Sequence, residues 1–133
     1  ALLLLLSNVR AVDFASASLD DDALVRLLDA APPSLRSLGL AQNRLSNIEV
    51  LAARPLASLE LTANPIGDAG AEVLAGMALT SLDVSTTGLT EHGARALLES
   101  PTLPPTLRLS VSRSEVGSVL PALRERFAVV HAR

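Results

Sequence analysis

Three carboxylates, Asp13, Glu60 and Asp83, sit between apolar neighbours in Val-Asp-Phe, Leu-Glu-Leu and Leu-Asp-Val. Side by side on one surface, two of them could act as an acid–base pair or hold a basic group. Little else in the chain could complete a reaction. There is no Cys, hence no thiol nucleophile and no thiolate metal ligand. The serines include no Gly-x-Ser-x-Gly elbow. Gly67 and Gly70 do not form a phosphate-cradling loop. Only two histidines occur, His92 and His131. His92 follows Glu91, but no second ligand lies at a metal-binding spacing. The run Asp20-Asp21-Asp22 could attract a cation, yet it lacks the Gly and the distant Glu of a calcium loop. Standing before Ala-Leu-Val-Arg-Leu-Leu, it reads as the capped, acidic start of a helix. No catalytic, cofactor or metal residue is assigned, and the chain is read as a non-enzyme.

The composition points the same way. The chain has 133 residues, a net charge of −3, 49% hydrophobic residues and only 2% aromatics. A core made almost wholly of Leu, Ala and Val suits a stack of similar small layers. It suits less well a pocket for a flat ligand, which usually recruits aromatics. No basic cluster interleaves with aromatics, so no nucleic-acid partner is expected. The run Leu2–Leu6 is too short to span a bilayer. With no basic residue before it and no clean cleavage site after it, it is not read as a signal peptide. No membrane partner is expected, and the lack of Cys favours a cytoplasmic setting.

The elements that carry the three acids are visible as a repeat. Leu35 to Leu45 reads LxxLxLxxNxL, with Leu38, Leu40 and Asn43 at its fourth, sixth and ninth positions. Leu56 to Ile66 repeats it with Leu59, Leu61 and Asn64, and Leu79 to Leu89 with Leu82, Val84 and Thr87. Looser copies flank these: Val9, Val12, Phe14, Ala17 and Leu19 upstream, and Thr106, Leu109, Val111, Ser114 and Val116 downstream. Fourth positions thus recur at Val12, Leu38, Leu59, Leu82 and Leu109, in steps of 26, 21, 23 and 27 residues. Each Leu-x-Leu predicts a short strand with one buried face. One coil per repeat stacks these strands in parallel. The Asn side chains are expected to be buried and to satisfy backbone groups where the chain turns away. Thr87 and Ser114 are expected to do so in part, and Ala17 not at all.

Helices are expected between the strands, over 20–30, 68–76, 91–99 and 117–126. Their inward stripes are Leu24, Leu27 and Leu28, then Ala71, Leu74 and Ala75, then Ala94, Leu97 and Leu98. Gly70 and Gly93 would admit close neighbours. The segment Ser46–Arg54 is shorter, one or two turns. Pro32-Pro33, Pro55, Pro101 and Pro104-Pro105 punctuate the returns to the sheet. Leu2–Leu6 reads as the tail of a preceding helix that a further repeat would cover. Association through exposed end repeats is expected on that ground. Phe127–Val130 reads as a last edge strand.

These segments resemble the leucine-rich-repeat superfamily over nearly the whole chain. Asn64-Pro-Ile-Gly-Asp-Ala-Gly-Ala-Glu-Val-Leu-Ala75 is similar to the ribonuclease-inhibitor subtype. The pairs Gly70-Ala71 and Leu74-Ala75, echoed by Gly93-Ala94 and Leu97-Leu98, resemble bacterial effector repeats of Gly-Ala-Leu-Ala type. The Ala, Arg and Leu bias is similar to that of proteins from high-GC bacteria. The resemblance implies an α/β solenoid, a right-handed horseshoe arc with a parallel sheet on the concave face and helices on the convex face. Residues 1–133 are then one domain of about five repeats, part of a longer protein. It further implies a scaffold for protein–protein interaction. The alternative is a substrate-recognition or targeting segment of a larger effector or ligase-type enzyme. Residues between the buried strand positions face away from the core. The expected contact set is Asp13, Ser37, Ser58, Glu60, Thr62, Ser81, Asp83, Ser85 and Arg108. This is a shallow, mildly acidic surface for a protein partner with a basic segment.

Overall fold

The computed structural model describes residues 8–133, so the reading of Leu2–Leu6 lies outside the described residues. Six strands form one open parallel sheet in chain order: β1 (Ala11–Asp13), β2 (Ser37–Gly39), β3 (Ser58–Glu60), β4 (Ser81–Asp83), β5 (Arg108–Val111) and β6 (Val129–Ala132). Val12, Leu38, Leu59, Leu82 and Leu109 stand in register across β1 to β5, as the repeat predicts. The last strand begins two residues later than expected and pairs parallel with β5.

Helices cover one face: α1 (Asp21–Ala30), α2 (Gly67–Leu74) and α3 (Glu91–Leu98), with a 3-10 segment at Glu49–Ala53 standing in for a helix in the second coil. Leu24, Leu28, Ala71, Leu74, Ala94 and Leu97 join the strand leucines in a single buried core. Leu27, Ala75 and Leu98, the third members of the expected stripes, are only half-buried. Leu27 lines an apolar recess with Val12, Phe14 and Leu35 at the β1 end of the stack. Gly93 sits where a Cβ would collide with the Asp68 carboxylate of the preceding coil. Gly70 is instead crowded by Ile66 of its own turn.

The last repeat departs from its expected form in three places. Thr106 is exposed and Leu107 takes the core position, because the return from Pro104 is one residue tighter. The final helical region starts four residues early. It runs through α4 (Arg113–Val116), a 3-10 turn (Gly117–Val119) and α5 (Leu120–Arg126). Ser114 therefore lies exposed on α4 and cannot serve as the Asn equivalent. Its neighbour Glu115 does so: its carboxylate accepts the backbone N–H groups of Thr87 at 3.3 Å and Gly88 at 2.7 Å. Thr87 is buried, but its hydroxyl donates only within its own turn, to the Val84 carbonyl.

Asn43 and Asn64 behave as expected. Asn43 Oδ1 accepts from the N–H groups of Ala17 and Leu19 in the previous coil, and its amide donates to the carbonyls of Phe14 and Leu40. The residue before each repeats a left-handed conformation: Ser16, Gln42, Ala63 and Thr86 have φ between 56° and 60°. Such a turn is unfavourable for a non-glycine residue. Backbone bonds to the next coil hold it, as from Gln42 N–H to the Thr62 carbonyl.

On the helical side, acids at helix starts tie each coil to the next. Asp20 caps α1 through the Ala23 N–H, as expected, whereas Asp21 accepts from Ser46 and Asn47 one coil on. Asp68 accepts from the Thr90 hydroxyl, the Thr90 N–H and the Gly93 N–H. Glu91 accepts from the backbone and hydroxyl of Ser118. Burial opposes ionisation of Asp21 and Asp68, but these hydrogen bonds, with the field of His92 on Asp68, prevail and hold both carboxyls below their ordinary value. The Ser118 backbone and hydroxyl bonds lower Glu91 likewise. A depressed folded pKa contributes stability that is present above the unfolded value and lost as pH falls through the folded one. The urea midpoint is therefore expected to hold from pH 7 to 5 and to fall below about pH 4. Asp68→Asn should give a shallower acid limb; an unchanged limb would remove Asp68 from this role.

Candidate functional site

The sheet face away from the helices presents the side chains between the buried leucines. β1 to β5 are three or four residues long, so each gives this face only one or two. Strand register then sorts them into rows. One row is Ala11, Ser37, Ser58, Ser81, Arg108 and Val129. The central row is Asp13, Gly39, Glu60, Asp83, Ser110 and His131. Glu60 and Asp83 are direct neighbours, with Asp13 two strands beyond Glu60, as the repeat predicts.

The three acids differ in their setting. Asp13 and Glu60 are exposed. Asp13 Oδ1 accepts from the Ala15 N–H at 2.9 Å and leans over Gly39, where a Cβ would meet it at 2.8 Å. The absence of a side chain at Gly39 is thus what lets Asp13 lie across the sheet. Asp83 is held more firmly. Its Oδ1 accepts from the Ser85 N–H at 2.9 Å, and its Oδ2 lies 3.9 Å from the Arg133 guanidinium. Carboxylates side by side on neighbouring strands repel, which favours a cation from outside over an empty face.

The remaining expected contact residues divide. Ser37, Ser58 and Ser81 are half-buried and Arg108 is exposed, all on the open face. Ser85 is 2% exposed and its hydroxyl has no partner, so no ligand could reach it without rearrangement. The Thr62 hydroxyl is buried in the same way. This third row turns inward because the chain is already leaving the sheet toward the left-handed residue that follows, Ala63 or Thr86.

Two shallow depressions mark the open face. One, of 300 Å³, lies between Asp13 and Glu60 with Gly39 in its floor. The other, of 390 Å³, is bounded by Glu60, Asp83, Arg108 and His131. His131 and Arg133 were not among the expected contacts. β6 brings them onto this face, and only the run Val129-Val130 foreshadowed that strand. His92, by contrast, lies on the helical side, 3.5 Å from Glu72, with both side chains exposed. Among the described residues no group of three or more His, Cys, Asp or Glu is placed to hold a metal ion. No helix among them is long and apolar enough to cross a membrane.

A family model described as Leucine Rich repeat matches residues 53–75, the coil that carries β3, Asn64 and α2. No curated protein and no solved structure matches the chain.

Proposed function

We propose that this leucine-rich-repeat solenoid is a protein-interaction scaffold, and that its open sheet face receives a basic segment of a partner protein. The observation that carries this reading is the central row. Asp13, Glu60 and Asp83 stand in register on an open surface whose other residues on β1 to β4 are Ser, Gly and Ala. Short side chains let a partner's backbone come close, and the carboxylates supply charge-assisted acceptors for Lys or Arg. Ser58, Ser81, Ser110 and His131 share the face with the acids, but among the described residues none of these serine hydroxyls is hydrogen-bonded to His131 or to a carboxylate, so recognition accounts for the arrangement better than catalysis.

The test is titration of the chain with a blocked peptide of alternating lysine and serine. Reversing two charges in a Glu60→Lys, Asp83→Lys double variant should weaken binding about tenfold, since each exposed ion pair contributes a few tenths to one kcal/mol. Added salt should weaken the wild type and not the variant. Asp83 also holds the Ser85 N–H, so Glu60→Lys alone serves as the variant that keeps that turn intact. Unchanged affinity and salt dependence in both would remove this face as the binding surface.

A further inference from the structure

The open face is not acidic throughout. We infer that it recognises a dipolar segment of a partner protein, with a basic side chain over Glu60 and an acidic one over Ser110. This rests on the open face being the binding surface, and adds a second charge and a spacing to it. β6 sets His131 beside Ser110. Arg108 stands exposed on β5, one row away from Ser110. Arg133 follows β6, and its guanidinium reaches back across β5 to within 3.9 Å of Asp83 while 71% exposed. Arg108 and Arg133 thus flank Ser110 from opposite sides, with His131 beside it. Ser110, a short side chain, stands between them, with Asp83 its register neighbour on β4.

The two charge centres share one depression of 390 Å³. An acid arriving over Ser110 would compete with Asp83 for Arg133, whose single long contact is at the limit of an ion pair. Glu60 is exposed and takes part in neither of the two ion pairs among the described residues, so its carboxylate is free for a cation. From β3 to β5 is two strand spacings, about 10 Å. A segment crossing the strands in the polyproline II conformation rises about 3.1 Å per residue and returns to the same face every third residue, so it covers that distance in about three residues. The chemistry that fits is therefore a basic residue and an acidic residue three positions apart, as in Lys-x-x-Glu.

The experiment compares two blocked octapeptides, identical except that one carries Lys-Ser-Ser-Glu and the other Lys-Ser-Ser-Lys, each titrated into the 133-residue chain. The dipolar peptide should bind about three- to tenfold more tightly. Arg108→Glu, at an exposed side chain, should reverse that order. If Lys-Ser-Ser-Lys binds the wild type equally or better, the dipolar reading is overturned while the scaffold for basic segments stands. If the preference survives Arg108→Glu, Arg108 does not hold the acid and the proposal fails. If neither peptide binds, both readings fall together.

Discussion

Replacing Asn64 by Ala lowers the unfolding free energy by about 2–3 kcal/mol, more than any surface change considered above. The Asn64 amide donates to the Leu40 carbonyl at 2.7 Å and the Leu61 carbonyl at 3.1 Å, and its Oδ1 accepts from the Leu45 N–H at 3.1 Å. The side chain is fully buried, so water cannot replace it. Alanine leaves the buried Leu45 N–H unpaired, which costs about 1–3 kcal/mol, and removes one of two donors from the Leu40 and Leu61 carbonyls, which keep the Asn43 amide and the residue-64 N–H. Chemical denaturation measures it, with an unchanged m-value showing that the same surface still unfolds. Asn64→Asp keeps the acceptor for Leu45 but loses both donors, so it should also destabilise. A midpoint within error of wild type for Asn64→Ala would break the Asn-ladder account of coil stacking.

Arg126→Met should cost about 1–3 kcal/mol, although Arg126 lies at the far end of the stack. Its guanidinium donates to the carbonyls of Leu97, Leu98, Ser100 and Leu103, and packs 4.8 Å above the Phe127 ring. Leu97 and Leu98 end α3, where the helix dipole is negative, and Ser100 and Leu103 lie in the loop that follows. Methionine keeps the stem and removes the donors, so the loss isolates the cap from the packing. Arg54 repeats the device at the end of α1, donating to the Leu28 carbonyl in its last turn and to the Ala31 and Pro32 carbonyls just after it. Arg54→Met should destabilise less, since two of its three contacts are 3.4 Å long. Thermal melts of both variants check the order; Arg126→Met melting with wild type would sink this account of the helix ends.

Apolar spacing alone placed β1 to β5 and their register, because a one-residue slip would turn every strand leucine outward. The same spacing misled at the last repeat. Thr106 and Ser114 sat at template positions, but a tighter return and an early α4 moved those roles to Leu107 and Glu115. The inter-coil bonds of Asp21, Asp68, Glu91 and Arg126 join residues 22 to 29 apart. No local pattern reports them, since they exist only once the coils are stacked. For the open face, the acids Asp13, Glu60 and Asp83 were legible as a row. Of the basic end only Arg108 was: the last edge strand was read at Phe127–Val130, and His131 and Arg133 depend on that strand running two residues further and on Arg133 folding back toward Asp83. Ser85 looked exposed by alternation, yet the chain leaves the sheet one residue before that rule would expose it.

The central claim, that the open sheet face is where a partner binds, is tested most directly by amide chemical-shift mapping. The isotopically labelled chain is titrated with the blocked lysine–serine peptide, and shifts are followed residue by residue. Binding at the open face predicts the largest changes at Asp13, Gly39, Glu60 and Asp83, with α1, α2 and α3 unmoved. Shifts concentrated on those helices, with β1 to β4 silent, would contradict it.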